Sequence, residues 1–241
     1  MTMLSVNLNK VALLRNARVG SSPSVTDAAE ICLAAGAGGV TLHPRPDRRH
    51  ARPDDVRDLA VLIRNSPGSE LNVEGNPFPE FIELVRQTRP TQCTLVPDDQ
   101  DVLTSDHGWD LTAEGERLRP LISELQGLGI RVSLFMETDT AQIELARVIG
   151  ADRIELYTEP YARACGTAAE PAQLQLFARA AQHAHRVGLG VNAGHDLSLE
   201  NLGRFCAAVP QVLEVSIGHA LISCSLELGL RGAVEAYLSI L

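Results

Sequence analysis

Short apolar runs recur along the chain, and each is followed by a longer stretch with helical periodicity. Eight runs have the length and the β-branched content of buried strands: residues 5–8, 40–43, 71–74, 93–96, 132–135, 154–157, 190–193 and 213–217. Successive runs are separated by roughly 20 to 40 residues, a spacing typical of parallel strands joined by helical crossovers rather than of hairpins. The pattern therefore predicts repeated β-α units.

Helix signals occupy the stretches between these runs. Ser24 and Asp27 have the spacing of a capping box, and Gly36 can end the helix that follows. Helices are also predicted to begin at Pro53, at Pro77, near Leu111 and at Asp139 or Thr140, and to cover 159–166, 170–187 and 220–241. Pro120 predicts a kink or a split in the helix near Leu111, and residues 97–110 are predicted to form a polar loop.

Eight strands alternating with helices predict an α/β fold, a (β/α)8 TIM barrel with extra helices. No linker, low-complexity segment or internal repeat divides the chain, so residues 1–241 are expected to form a single domain. An open doubly wound sheet is the alternative. Its dinucleotide-binding version is weakened because no G-x-G-x-x-G follows the first run.

Composition narrows the class of protein. Of the 241 residues 45% are hydrophobic, and the net charge of −9 argues against binding nucleic acid through a broad basic face. The chain has no run of 18 apolar residues and no basic-then-apolar start, so neither a membrane span nor a secretory signal is expected. Five cysteines without a C-x-x-C predict free thiols in a reducing compartment. We therefore expect a cytoplasmic protein.

Polar side chains end several of the predicted strands, and in a barrel of this type the active site lies at those ends. The strand ends carry Asn7, His43, Glu74, Glu155, His195 and His219. Three histidines and two glutamates converging from separate strands predict acid-base chemistry, although each alone is more typical of a structural residue.

Two anion sites are also predicted. Gly194 and Gly218 follow strands seven and eight, where backbone N–H groups and a helix N-terminus can hold a phosphate. Arg45 and His50 lie in a cationic loop after strand two, across the mouth of the barrel. Two phosphate sites beside acid-base groups suggest an enzyme that joins two phosphorylated small molecules.

Six segments together resemble the pyridoxine 5′-phosphate synthase family, in matching order from strand one to strand eight. They are V-N-L-N-K-V-A-L-L-R-N-A-R (6–18), V-T-L-H-P-R-P-D-R-R-H (40–50), L-N-V-E (71–74), V-S-L-F (132–135), V-N-A-G-H (191–195) and I-G-H-A (217–220). The resemblance implies a barrel assembled as a homo-octamer, a tetramer of dimers. It implies the condensation of 1-deoxy-D-xylulose 5-phosphate with 3-amino-2-oxopropyl phosphate to pyridoxine 5′-phosphate, phosphate and water, without a metal or an organic cofactor.

The family's residue roles carry over to matching positions. His43 and Glu74 correspond to proton acceptors, and His195 to a proton donor. The aminoketone phosphate would be held by Asn7, Arg18, Gly218 and His219, and the deoxyxylulose phosphate by Arg45, His50 and Thr104. Each positioned acid or base contributes about 10²–10⁴-fold to a rate. The substrate's own amine can form the imine, which agrees with a chain whose only lysine is Lys10.

Two departures from the family pattern concern the substrate-binding positions. Asn9 and Lys10 stand where Asp-His is commonest, and Lys10 is still expected to contact the deoxyxylulose substrate. Asp196 replaces a glycine beside a predicted phosphate site, where a carboxylate would repel the ligand. We therefore predict that the Asp196 side chain points away while its backbone N–H serves the site.

Three other functions remain open at this stage. A metal-dependent barrel aldolase or hydrolase could use His43, Glu74, His195 and His219 as ligands, although no H-x-H or E-x-x-H spacing supports it. A lysine-dependent aldolase would have to use Lys10. A sensor of phosphorylated ligands would bind without turnover.

Overall fold

Eight parallel strands close into a barrel in chain order. The computed structural model describes residues 2–98 and 105–241. Each strand pairs with the next one, and β8 pairs back with β1, which completes the circle. The strands are β1 Met3–Asn7, β2 Gly39–Leu42, β3 Glu70–Gly75, β4 Gln92–Leu95, β5 Arg131–Met136, β6 Arg153–Tyr157, β7 Gly190–Gly194 and β8 Val212–Ile217. The predicted (β/α)8 barrel is confirmed.

Helices follow the strands and cover the outside of the barrel. Their bounds are α1 Asn9–Asn16, α2 Val25–Ala34, α3 Pro53–Arg64, α4 Pro79–Thr88, α5 Leu111–Gly127, α6 Thr140–Val148, α7 Glu159–Ala164, α8 Glu170–Arg186, α9 Leu202–Ala208 and α10 His219–Leu238. Among the described residues no helix is long and apolar enough to cross a membrane.

Side-chain alternation along the strands separates an apolar shell from a polar barrel interior. Val40 and Leu42 of β2 are fully buried, while Thr41 between them bonds to Ser5 of β1. Gln92 of β4 reaches Glu214 of β8, on the opposite side of the barrel, at 3.3 Å. The polar side chains therefore point inward, and the apolar ones pack against the helices.

The predicted caps agree with the structure, but several predicted helix bounds do not. Ser24 accepts a hydrogen bond from the Asp27 N–H at 3.1 Å, as a cap of α2 should. The helix predicted from Pro77 begins at Pro79 instead. Of the kink or split predicted at Pro120, the split is wrong, since α5 runs unbroken through this residue. Helix α10 is instead interrupted at Gly229, whose φ is +70°.

Two helices, α1 and α9, were not anticipated from the pattern. The buried face of α1 consists of Val11, Ala12 and Arg15, so a charged residue interrupts its apolar stripe. That residue is buried because it pairs with Asp55. Helix α9 is only seven residues long, with Leu202 and Phe205 inward. In both cases the periodicity is too short or too broken to indicate a helix.

Candidate active site

A cavity of about 530 Å³ opens at the carboxyl ends of the barrel strands. It is lined by Asn7, Asn9, Lys10, Leu13, His43, Arg45, Arg49, His50, Glu74, Ser105, Glu155, His195, Asp196, Ser216, Gly218 and His219. The cavity thus brings together almost every predicted site residue. Arg18 is not among the lining residues and is exposed beyond α1, and Thr104 lies outside the described residues.

Glu74 of β3 lies at the floor of this cavity and is 9% exposed. Within the described part of the chain its carboxyl group accepts only long hydrogen bonds, from Asn72 at 3.4 Å and from Asn7 and Ser216 at 3.5 Å. Burial raises the pKa of Glu74 well above the usual value, and the nearby Glu155, Glu214 and Asp98 raise it further. The group is therefore a carboxyl that holds its proton to unusually high pH.

Two further buried carboxyls occupy the barrel interior. Glu155 of β6 is 2% exposed, and burial with the neighbouring Glu214 charge raises its pKa to about 8. Burial raises the pKa of Glu214 to about 7, although Arg153 lies 3.3 Å away. The inward position of Glu214 could not be anticipated from its place in a predicted strand, because alternation alone does not say which face is inside.

His43 follows β2 and stands between two carboxylates. Its Nδ1 lies 4.0 Å from Glu74 Oε2, and its Nε2 lies 3.9 Å from Asp98 Oδ2. Burial lowers the pKa of His43 well below 6.5, and the Arg45 charge lowers it further. The neutral imidazole can therefore accept a proton at neutral pH. Its backbone is held by Asn9, whose Oδ1 accepts the His43 N–H at 2.9 Å.

Asp98, just after β4, connects several site residues and was not singled out from the sequence. Its Oδ2 accepts hydrogen bonds from Arg45 at 2.5 Å and from Ser105 at 2.7 Å. The other oxygen, Oδ1, is buried and has no hydrogen-bond partner among the described residues. No pattern in the sequence marks it, since an aspartate beside other acidic residues in a polar loop is normally solvated.

Replacing Asp98 by asparagine is expected to lower the pKa of Glu74. The physical reason is that the Asp98 charge is one of those that keep the proton on Glu74. A carbon NMR titration of the Glu74 carboxyl measures the shift. Asp106→Asn is the matched control, because Asp106 is exposed and contacts only His107 in the described part of the chain. An unchanged Glu74 titration in Asp98→Asn would contradict this account.

His195 directly follows β7 and lies in a turn with unusual backbone geometry. His195 and Asp196 both have positive φ, +79° and +59°, which non-glycine residues rarely adopt. Thr158 holds the turn by donating its hydroxyl to the carbonyls of Gly194 and His195. The imidazole packs against Tyr157 and Phe135, with ring centroids 5.2 and 5.5 Å away, and burial lowers its pKa.

His50 faces the cavity from the loop after β2. Its Nδ1 accepts the backbone N–H of Ala51 at 2.9 Å. The hydrogen of a neutral ring must then be on Nε2, which makes that nitrogen a donor. Burial lowers the pKa of His50 to about 4, with Arg45 and Arg49 lowering it as well. At neutral pH His50 is therefore a neutral hydrogen-bond donor.

A second part of the cavity lining comes from β1, which pairs with β2 and β8, and from the start of α10. Gly218 lies against the Asn7 side chain, since a Cβ there would be 3.1 Å from the Cβ of Asn7. His219 is the first residue of α10, so the helix N-terminus faces the cavity. Helix N-termini favour anions, so this part of the lining agrees with the predicted phosphate site. Asp196 is exposed beside it.

Comparison with known proteins identifies the family. The profile of the family described as "Pyridoxal phosphate biosynthesis protein PdxJ" matches residues 4–241. A pyridoxine 5′-phosphate synthase of Albidiferax ferrireducens is 56% identical over 242 residues, covering 98% of this chain and 96% of that protein. One from Xanthomonas campestris pv. campestris is 55% identical, covering 100% and 96%. The chain belongs to the pyridoxine 5′-phosphate synthase family.

Membership of this family confirms the resemblance found in the sequence motifs. Among solved structures, 3-keto-L-gulonate-6-phosphate decarboxylase from Vibrio cholerae aligns with a TM-score of 0.65 at 10% identity, over 99% of this chain and 97% of that one. Phosphoribosylanthranilate isomerase from Thermotoga maritima aligns with a TM-score of 0.60 at 12% identity, over 100% and 98%. At such low identity these likenesses show the barrel fold alone.

A metal-dependent aldolase or hydrolase would need several ligand side chains close together. Within residues 2–98 and 105–241, no group of three or more His, Cys, Asp or Glu side chains is placed to hold a metal ion. The described residues therefore give no support to a metal site built on His43, Glu74, His195 and His219.

Proposed function

We propose that this protein is a pyridoxine 5′-phosphate synthase, acting in vitamin B6 biosynthesis. It condenses 1-deoxy-D-xylulose 5-phosphate with 3-amino-2-oxopropyl phosphate, releasing phosphate and water. The observation that carries the proposal is the cavity, whose lining brings His43, Glu74 and His195 together with the cationic loop after β2 and the start of α10. The high identity to proteins of that name over the whole chain supports it.

Two parts of the cavity lining suit two phosphorylated substrates. At the α10 N-terminus, the aminoketone phosphate would be held by Asn7, Gly218 and His219, joined by Arg18. In the loop after β2, the deoxyxylulose phosphate would be held by Arg45 and His50 together with Thr104, with Asn9 and Lys10 beside them. The neutral His50 donates a hydrogen bond there, while Arg45 supplies positive charge. Asp196 contributes its backbone N–H.

The central residues would move the protons that imine formation, phosphate loss, ring closure and dehydration require. His43 is neutral at pH 7 and can accept a proton. Glu74 is the second proton acceptor, and it acts once its carboxyl has ionised. His195 is the donor: burial lowers its pKa, and the negative charge of two bound phosphate groups would raise it. No enzyme lysine is needed, because the aminoketone carries the reacting amine.

We further propose that residues 1–241 form one domain, that the protein works in the cytoplasm, and that it assembles as a homo-octamer. Exposed apolar side chains support an assembly. Leu14 of α1 and Leu226 of α10 are 59% and 82% exposed, and these two helices contact each other. A sedimentation-velocity measurement giving a monomer at micromolar concentration would refute the octamer.

The function is tested by a turnover assay on protein treated with EDTA. With both phosphorylated substrates present, we expect pyridoxine 5′-phosphate, detected by mass, and an equal amount of released phosphate. Activity that returns only after a divalent metal is added would instead support the metal-dependent aldolase or hydrolase. Ligand binding without turnover under any condition would support a sensor.

A further inference from the structure

The C-terminal end of α1 is attached to the loop that carries His50. Asn16, the last residue of α1, donates its side-chain N–H groups to three consecutive carbonyls of this loop. The Nδ2 distances are 3.2 Å to Arg48, 3.1 Å to Arg49 and 2.8 Å to His50. One amide group therefore holds three consecutive carbonyls of the loop, two of which belong to the cavity-lining residues Arg49 and His50.

Arg15, the preceding residue of α1, orients Asn16 and connects α1 with α3. Its Nε and Nη2 both donate to Asn16 Oδ1 at 3.1 Å, which leaves the Asn16 N–H groups directed at the loop. Its guanidinium also makes a two-pronged ion pair with Asp55, one contact of which is 3.0 Å. Arg15 and Asp55 are 7% and 8% exposed, so this pair is shielded from solvent.

Asp55 attaches the far end of the same loop. Its Oδ2 accepts the backbone N–H of Arg52 at 2.7 Å, at the start of α3. Arg15 in turn donates to the His50 carbonyl at 3.4 Å. The loop between β2 and α3 is thus held from α1 on one side and from α3 on the other.

The loop requires such support because its conformation is unfavourable and its side chains must be placed accurately. Arg48 has a φ of +54°, a region that costs energy for residues with a Cβ. The His50 ring is oriented by the backbone N–H of Ala51, so any shift of the backbone rotates the imidazole. Arg15, Asn16 and Asp55 do not line the cavity.

We propose that Arg15, Asn16 and Asp55 form a positioning clamp, which holds His50 and Arg49 in the geometry that binds one substrate phosphate. The clamp rests on the proposed function for the identity of that substrate, the deoxyxylulose phosphate. Its members are positioning residues, since they act through the loop and not by touching the ligand. Loss of the clamp should weaken binding of 1-deoxy-D-xylulose 5-phosphate and leave binding of 3-amino-2-oxopropyl phosphate nearly unchanged.

Asn16→Ala is the decisive variant, because it removes the three loop contacts and leaves the buried ion pair in place. We expect KM for 1-deoxy-D-xylulose 5-phosphate to rise about tenfold, the effect of losing roughly one hydrogen bond's worth of positioning. KM for 3-amino-2-oxopropyl phosphate should change less than twofold. Asn65→Ala is the matched control. Asn65 caps the C-terminus of α3, and its side chain bonds only the Val61 carbonyl among the described residues.

A second measurement does not depend on turnover. Nitrogen NMR of His50 should show a single Nε2-protonated tautomer in the wild type and in Asn65→Ala. In Asn16→Ala we expect a mixture of tautomers and a pKa that rises from about 4 toward 6.5 as the ring becomes more exposed. An unchanged His50 spectrum would overturn the clamp, whether or not the enzyme is active.

The two proposals fail in different ways. If the wild type makes no pyridoxine 5′-phosphate, the function is wrong, and the His50 spectrum still decides the clamp. If the wild type is active and Asn16→Ala keeps both KM values, the clamp is wrong. Arg15→Lys and Arg15→Met add a graded test. Lysine keeps the positive charge but not the planar guanidinium, so Arg15→Lys should raise KM for 1-deoxy-D-xylulose 5-phosphate less than Arg15→Met does.

Discussion

Glu74→Gln is expected to lower kcat by about 10²–10⁴-fold while the protein stays folded. Glutamine has the shape of a protonated glutamate but cannot accept a proton, so the variant removes the proposed acceptor alone. The surroundings tolerate the change, because the hydrogen bonds of Glu74 to other described residues are all long and its carboxyl already holds its proton to high pH. Steady-state kinetics with both substrates, alongside circular dichroism, measures the effect.

The matched control for this variant is Glu116→Gln. Glu116 lies on α5 with its side chain 85% exposed, pairs with Arg119 and does not line the cavity. It should retain the wild-type kcat. If Glu74→Gln also retained it, the assignment of Glu74 as a proton acceptor would be wrong, although the family membership would not be affected.

Glu155→Gln is expected to flatten the pH dependence of stability. The pKa of Glu155 is about 8 in the folded protein against 4.5 for an ordinary glutamate, so the folded state binds the proton more tightly. The resulting stabilisation is fully present below pH 4.5 and is lost as the pH rises through 8. One group with this shift changes the free energy of unfolding by on the order of 4 kcal/mol.

Urea denaturation at pH 5, 7 and 9 measures this effect. The wild type should lose stability between pH 5 and pH 9, and Glu155→Gln should lose much less. Removing the Glu155 charge also relieves Glu74, whose pKa that charge raises, and this flattens the curve further. Glu116→Gln again serves as the control and should follow the wild type. Equal pH slopes in the wild type and in Glu155→Gln would show that Glu155 is not a buried, proton-binding group.

The barrel itself was predictable because its signals are local. Each strand is a short apolar run, and the separation between runs leaves room for one helical crossover, as at β2 and β3. Helix α1 was missed because its buried face includes Arg15, a residue that is buried only because Asp55, forty positions away, neutralises it. A charge in an apolar stripe indicates solvent exposure unless its distant partner is known.

Much of the candidate site was also predictable, for a geometrical reason. In a closed parallel barrel all strands end at one rim, so polar residues at strand ends must meet, as His43, Glu74 and His195 do. The motifs then identified the family. The roles of Arg18 and Thr104 stay predictions, since Arg18 is exposed away from the cavity lining and Thr104 is outside the described residues.

The amino-acid sequence by itself determined the fold class, the rim of the barrel at which the polar side chains meet, and the family, because these follow from local periodicity and contiguous motifs. Only the tertiary structure decided which carboxyls share the barrel interior, that Asp98 connects Arg45 with Ser105, and that α1 holds the His50 loop. Those facts depend on distances between segments far apart in the chain. Protonation states follow the same rule, since burial and neighbouring charges are set by packing.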